Sequence, residues 1–404
     1  MHGADTDAEA GDAAPGRRID APWLRGPAAQ AVVSALAGSG ARALFVGGCV
    51  RNALLDVAVS DLDIATDAEP QDVQRLLEAA GIRHVPTGIE HGTVTAIAPG
   101  RTLEITTFRQ DVETDGRHAR VHFGRSLEED ARRRDFTMNA LYAEADGTVL
   151  DPLDEGLADL ARRRVRFIGD PARRIAEDRL RILRFYRFHA LYGDAACGLD
   201  AAGQEACAEA VAGLDDLARE RVGAEMRKLL DAVDPGPALA GMDEAGALAR
   251  VLPGAATAGI APLVATEALA GASPDWKRRL LALGIAPDDA VEPLRLSRAE
   301  QRGLRAILAA QAEARPAAQT AYRHGAEAAR DAALLAAAAA AVAPPRGLLR
   351  DAAKGAMTEF PISADDLIAR GMKPGKALGD RLAKLEEAWL DSGFKASRGE
   401  LLDG

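Results

Sequence analysis

Residues 43–66 read ALFVGGCVRNALLDVAVSDLDIAT, and the order of textures in that stretch decides the fold. ALFV (43–46) is a short apolar run bounded by glycine, the signature of a buried strand. VRNALL (50–55) reads as a helix that opens directly behind Gly47-Gly48. DLDIAT (61–66) is strand-like again. Strand, glycine turn, helix and strand in two dozen residues mark the start of a small α/β layer. Outward from it, PAAQAVVSALAGS (27–39) is an amphipathic helix with Pro27 in its first turn. PQDVQRLLEAAG (70–81) is a second helix, closed by Gly81. HGTVTAIAP (91–99) and RTLEITTF (101–108) form paired strands across a Pro-Gly turn. Residues 109–126 are charged and lack apolar periodicity, so they are expected to be a mobile loop. NALYAE (139–144) and TVLDP (148–152) flank Asp146-Gly147, a hairpin signal.

Beyond residue 150 the periodicity is helical. IAEDRLRILRFYRFHALY (175–192) is expected as one long helix and LARERVGAEMRKLLDAV (217–233) as another. The pattern predicts an α/β head, a small mixed sheet with helices, followed by an all-helical neck, body and tail. The expected division is a disordered leader at 1–25, a head at 26–150, a helical neck at 151–255 and a helical body and tail at 256–404. The longest apolar run, Ala332 to Ala343, is too short to cross a bilayer, so no membrane partner is expected. Cys49, Cys197 and Cys207 have no metal or disulfide spacing, which fits a reducing cytoplasm.

The net charge of −11 argues against a nucleic-acid partner until its distribution is considered. Between Arg162 and Arg187 stand ten arginines against Asp170, Glu177 and Asp178. That local excess predicts a focused phosphate-binding surface on an acidic protein.

Asp61 and Asp63 are two apart on an expected strand, which points both carboxylates to one face. Such a pair is costly without cations, and a magnesium site supplies them. Glu104 adds a third carboxylate if its strand lies alongside. Phosphoryl and nucleotidyl transfer use such clusters: one ion activates the attacking hydroxyl and a second stabilises the leaving pyrophosphate. The Gly47-Gly48 turn lets backbone N–H groups approach a triphosphate, and Arg51 adds a charged fork.

Taken in order, GGCVR (47–51), DLDIAT (61–66), LEITTFR (103–109), RRDFTMNALY (133–142), DPLDEGLADL (151–160) and EDRLRILRFYRF (177–188) resemble the tRNA nucleotidyltransferase/poly(A) polymerase family, class II, and most closely its CCA-adding members. The clear resemblance covers roughly residues 40–255. It implies a template-independent transfer of C, C and A from CTP and ATP to the 3′ end of tRNA, with Mg²⁺ as cofactor. It further implies that Gly48 and Arg51 contact the triphosphate, that Asp61 and Asp63 bind Mg²⁺ with Glu104 as third acid, and that Arg134 binds the nucleotide beside Asp135. Residues 151–156 would be a hinge, where the family more often carries glycine at the position of Glu155. Asp178 and Arg181 match the element that selects the base, and Arg184 and Arg187 continue it.

Base selection has its own physical account. Aspartate only accepts hydrogen bonds and arginine only donates. Cytosine and adenine each offer an amino donor beside a ring acceptor, which suits an Asp178/Arg181 pair sharing one helix face. Uracil and guanine reverse that pattern and leave buried partners unsatisfied, at roughly 1–3 kcal/mol per lost bond. Poly(A) polymerase activity is the alternative, disfavoured by a C-terminus of mixed charge; partial CC- or A-adding activity and a non-catalytic tRNA-binding role complete the set. The Gly371–Lys376 loop enters a helix whose N–H groups suit an RNA phosphate. The charged loop at 109–126 is a candidate lever for the change from C to A. Shortening it should reduce A addition more than C addition in a primer-extension assay; equal loss of both removes that role.

Overall fold

The structure is a computed structural model that describes residues 17–89, 92–98, 100–110 and 122–403, the last stretch beginning with the backbone of His122. The chain divides into two compact units, Met1–Ala210 and Val211–Gly404.

In the first unit, α1 (Pro27–Ala37) leads into β1 (Ala43–Val46), all four of whose residues are buried. Gly47 follows at φ 69°, a left-handed turn that favours glycine. It launches α2 (Gly48–Leu54). β2 (Leu62–Thr66) and α3 (Pro70–Ala79) come next, with Gly81 at φ 68° behind the helix. β3 (Arg83–Gly88), β4 (Thr93–Ala98) and β5 (Arg101–Thr107) form a meander; the first of these was missed in the sequence because its residues are largely exposed and carry no apolar alternation. Residues 109–126 are not a loop throughout: β6 (Arg109–Gln110) pairs antiparallel with β7 (His122–Phe123), and residues 111–121 lie outside the described set. α4 (Leu127–Arg132), β8 (Tyr142–Ala143) and β9 (Val149–Leu150) complete the head, with α4 capped by the Ser126 hydroxyl.

Seven strands form one mixed sheet in the order β3-β4-β5-β2-β1-β8-β9. β2 and β5 run parallel and every other pair is antiparallel. One face is dry: Leu62, Ile64, Val94, Ala96, Leu103 and Ile105 are buried there. α3 packs on β3, β4 and β5 and against α1. Beyond β9, α5 (Gly156–Ala161), α6 (Pro171–Glu177), α7 (Leu180–Tyr192) and α8 (Ala201–Glu209) follow. Glu155, at the helix cap where the family prefers glycine, pairs with Arg166. Residues 175–192 are two helices rather than one. Asp178 is extended (φ −150°, ψ 107°) and its carboxylate accepts from the Leu180 N–H, so it ends α6 and caps α7. An aspartate that bonds its own backbone two residues on interrupts a helix at low cost. Phe136, Phe167, Phe185 and Phe188 pack as one aromatic cluster under α7.

The second unit is helical. α9 (Arg219–Leu230), α10 (Gly236–Glu244), α11 (Ala247–Val251), α12 (Ile260–Ala270), α13 (Trp276–Ala282), α14 (Val291–Leu294), α15 (Arg298–Glu313), α16 (Ala317–His324) and α17 (Ala326–Ala339) precede α18 (Leu348–Ala356), α19 (Ala364–Ala369), α20 (Lys376–Asp391) and α21 (Arg398–Asp403). Leu385 and Trp389 are buried among the last three helices. Gly355 lets α18 close on α16, since a Cβ there would fall 2.0 Å from the Ala318 carbonyl oxygen. A buried ionic cluster joins α9, α12, α13 and α17. Arg278 bonds Glu267 at 2.7 Å and Asp331 at 2.5 Å, and Arg279 bonds Glu267 at 2.8 Å. Arg279 also donates to the carbonyls of Leu230, Ala232 and Val233. No described helix is long and apolar enough to cross a membrane.

Removing Glu267 leaves the buried Arg279 without a carboxylate and Arg278 with Asp331 alone. Glu267→Ala is expected to cost about 3–5 kcal/mol of stability in denaturant unfolding; a loss below about 1 kcal/mol contradicts a structural role for the cluster.

Candidate nucleotidyl-transfer site

The parallel pairing of β2 and β5 sets Asp63 opposite Glu104 in register. Side chains at paired positions share a face. Their face is the open one, with Glu104 exposed and Asp63 half-buried. Asp61 is exposed just before β2, and the Ser60 hydroxyl donates to it at 2.8 Å. The three carboxylates lie near enough to act on one another electrostatically. Burial first, then the charges of Glu104 and Asp61, push the Asp63 carboxyl up to about 6, against an opposing pull from Arg134. Among the described residues no three His, Cys, Asp or Glu side chains form a ready metal cage. The donor set is all oxygen and all anionic, which suits a hard divalent cation.

The Gly47-Gly48 turn lies beside this cluster. A Cβ on Gly47 would sit 3.6 Å from Arg134 Nη1, and one on Gly48 would sit 3.8 Å from Arg51 Nη2. Backbone and guanidinium groups thus meet closely at the turn. Cys49 behind it is buried, and burial pushes its thiol up to about 11, so it stays protonated at neutral pH.

The arginines are held by partners that sequence reasoning did not name. Arg134 bonds the Asp130 carboxylate at 2.9 Å and the Tyr142 hydroxyl at 3.0 Å. Burial lowers its pKa, but Tyr142 and Asp130 outweigh that and raise it. Asp130, four residues earlier at the end of α4, was visible only as an i,i+4 spacing. Arg51 is buried and its donors are spoken for: Nη1 bonds Asn139 Oδ1 at 2.5 Å, Nη2 bonds the Tyr192 hydroxyl at 2.8 Å, and Nε bonds Asn52. Its guanidinium carbon also lies 3.9 Å from the Tyr192 ring centre. Arg51 therefore pins the start of α2 to the end of α7.

Arg181, Arg184 and Arg187 all lie on α7, three residues apart, and each is held by groups of the head or of α6 and α7. Arg181 bonds Glu177 at 2.6 Å and the carbonyls of Arg174 and Arg133. Arg184 forks onto Asp135. Burial raises the Asp135 carboxyl, but Arg184 and Asn139 more than compensate and hold it below the usual range. Arg187 is buried over the Phe188 ring. Asp178 and Arg181 do not share one helix face, because the helix breaks at Asp178. Arg164 and Arg166 likewise pair with Asp200 and Asp159, so much of the local positive excess serves internal ties.

A helix-backed sheet that sets in-register carboxylates beside a glycine turn is the head of a nucleotidyl-transfer protein. Residues 43–166 match the Poly A polymerase head domain, and residues 199–258 match a probable RNA and SrmB-binding site of polymerase A. Mouse CCA tRNA nucleotidyltransferase 1, mitochondrial, is 32% identical over 384 residues, 89% of this chain and 85% of that one. A CCA-adding enzyme of Limosilactobacillus fermentum is 42% identical over 204 residues, 50% of this chain and 49% of that one. The solved Bacillus stearothermophilus CCA-adding enzyme in complex with CTP superposes with TM-score 0.73 at 28% identity, covering 93% of this chain and 94% of that one. The chain belongs to the tRNA nucleotidyltransferase/poly(A) polymerase family.

Because the folded state holds Asp63 more weakly acidic than an unfolded chain does, it binds the proton more tightly between about pH 4 and 6. The native state then loses stability as pH rises through that window. Asp63→Asn is therefore expected to stabilise the metal-free protein by about 1–3 kcal/mol at pH 7.5 and by little at pH 4. Unfolding in chelator at both pH values checks this; an unchanged or lower stability at pH 7.5 contradicts it.

Proposed function

We propose that this chain is a template-independent enzyme that adds C, C and A from CTP and ATP to the 3′ end of tRNA, releasing pyrophosphate. The observation that carries the reading is the registered Asp63–Glu104 pair, with Asp61 beside it, next to the Gly47-Gly48 turn. The relatives named as CCA-adding enzymes favour CCA addition over poly(A) synthesis.

Asp61 and Asp63 would hold Mg²⁺, with Glu104 as the third acid. Bound there, Mg²⁺ would lower the pKa of the attacking 3′-hydroxyl and neutralise the leaving pyrophosphate. The chain's own groups do the remainder. The Gly48 backbone lets the triphosphate approach α2, and Arg51 keeps that turn in place from behind. Arg134, fixed by Asp130 and Tyr142, sets a permanent positive charge near the carboxylates. Asp178 and Arg181 present an acceptor and a donor to the base across the break between α6 and α7, with Glu177 fixing the arginine. Arg184 and Arg187 support the nucleotide from α7, where Asp135 orients the first. Free cysteines and the lack of a long apolar helix among the described residues favour the cytoplasm as its compartment.

Purified protein is incubated with Mg²⁺, tRNA lacking its 3′ end, and labelled CTP, ATP or both. The expected result is C incorporation with CTP alone, one terminal A when ATP is added, and then a stop. Long A tracts indicate a poly(A) polymerase, and no incorporation by folded protein ends the proposal. Asp61→Ala and Asp63→Ala should each abolish transfer while tRNA affinity changes less than about threefold.

A further inference from the structure

RRDFTMNALY (133–142) contains Asn139, a residue to which the nucleotidyl-transfer site gives no role of its own. Asn139 is buried at the end of the short turn Thr137–Asn139, and its N–H donates to the Phe136 carbonyl at 2.9 Å. Its backbone lies against the glycine turn, since a Cβ on Gly47 would sit 3.5 Å from the Asn139 carbonyl oxygen. Its side chain stands between two charged groups. Arg51 Nη1 donates to Asn139 Oδ1 at 2.5 Å, and Asn139 Nδ2 donates to Asp135 Oδ1 at 2.8 Å. The other oxygen of Asp135 accepts from Nε and Nη2 of Arg184, at 2.8 and 2.5 Å. One unbroken chain of hydrogen bonds therefore runs from α2 through Asn139 and Asp135 to α7.

The direction of each bond in the chain is forced. A guanidinium only donates and a carboxylate only accepts, so the group between them must accept on one side and donate on the other. An amide does both from fixed positions. A carboxylate at position 139 would still satisfy Arg51 but would face Asp135 with like charge. The consequences lie at the two ends of the chain. Arg51 Nη2 is 3.8 Å from where a Cβ on Gly48 would sit, at the first residue of α2. Arg184 lies three residues beyond Arg181 on α7. A second link runs through the segment that Asp135 anchors: the Arg133 carbonyl, two residues earlier, accepts from Arg181 Nη2 at 3.2 Å. Arg51 also bonds Tyr192, but Tyr192 is the last residue of α7, whereas the chain through Asn139 reaches the middle of that helix.

We infer that Asn139 is a specificity-determining positioning residue, whose amide fixes the base-selecting helix α7 relative to the triphosphate turn. This rests on the function proposed above and names what aligns the two ends of that nucleotide site. A nucleotide is held by its phosphates at Gly47-Gly48 and by its base at Asp178 and Arg181. Discrimination depends on the span between those ends, because a donor displaced by about 1 Å no longer separates a correct base edge from a wrong one. Breaking the chain leaves a buried guanidinium donor and a buried carboxylate oxygen each short of a partner, and both shift to find others. Correct nucleotides then lose their fit, while wrong ones, which lacked it, lose little.

The test uses the full chain with Mg²⁺, tRNA lacking its 3′ end, and CTP or UTP. Asn139→Asp keeps the side-chain volume and the bond from Arg51 and breaks the link to Asp135. It should lower the ratio of kcat/KM for CTP to that for UTP about five- to thirtyfold, while the KM for tRNA changes less than about twofold. The double substitution Asn139→Asp with Asp135→Asn exchanges carboxylate and amide and restores a donor and an acceptor at each step. It should raise that ratio at least about threefold over Asn139→Asp alone. A merely structural role would move stability and leave the ratio alone. A second measurement needs no substitution: inorganic tripolyphosphate with Mg²⁺, which carries no base, should slow amide hydrogen exchange in α7 as well as in α2. An unchanged ratio in Asn139→Asp, a double variant no better than the single one, or protection confined to α2 overturns the coupling. If the unsubstituted protein extends no tRNA, or tripolyphosphate protects neither helix, the function on which the coupling rests is overturned instead.

Discussion

The in-register parallel pairing of β2 with β5 is the constraint on which the site depends. A parallel neighbour requires a crossover, and α3 with β3 and β4 supplies it. A slip of one residue would turn Glu104 into the dry face and expose Leu103 or Ile105. The apolar residues at the other parity, Leu62, Ile64, Leu103 and Ile105, are all buried, so the register is held by hydrophobic burial at about 25 cal/mol per Å². The carboxylates are carried along passively. Core packing on one face thus fixes chemistry on the other, and the cost of crowding anions is met by residues that never touch them.

That cost is visible in Asp63, whose carboxyl resists ionisation because of burial and like charge. Arg134 offsets part of the repulsion, but its own charge is already committed to Asp130 and Tyr142. The head therefore keeps a net demand for positive charge at the mouth of the carboxylate cluster, and the proposal of Mg²⁺ there rests on that demand.

Much of this was legible in the sequence because it depends on local rules. ALFV, the glycine turn and DLDIAT gave the layer, and alternation gave β4 and β5. The pairing of Asp63 with Glu104 needed only the strands to be neighbours. The rest depended on partners distant in sequence. Tyr192 meets Arg51 across 141 positions and Asp135 meets Arg184 across 49, and no periodicity encodes such contacts. The break at Asp178 was hidden because helix-forming residues surround it. The extended backbone of Asp178 and its side-chain bond from the Leu180 N–H mark the break. β3 escaped notice because an exposed edge strand with Pro86 in it lacks a buried face to pattern it.

The arginine-rich stretch carries a wider lesson about charge counting. Ten arginines between residues 162 and 187 look like a phosphate-binding surface in a protein of net charge −11. In the fold, Arg164, Arg166, Arg174, Arg181 and Arg184 bond carboxylates, and Arg187 is buried over an aromatic ring. Part of their positive charge is spent on ties within the unit, and what those ties supply is rigidity. An arginine that holds its neighbour's carboxylate keeps its planar fork in a single orientation, at less entropic loss than a free side chain suffers when it captures a ligand. The proposed role in base selection would draw on such fixed donors more than on net charge. A count of arginines in a stretch of sequence therefore overstates the charge left for a ligand, because the pairing of each guanidinium is set by carboxylates such as Asp135, Asp159 and Asp200 that only the fold brings to it.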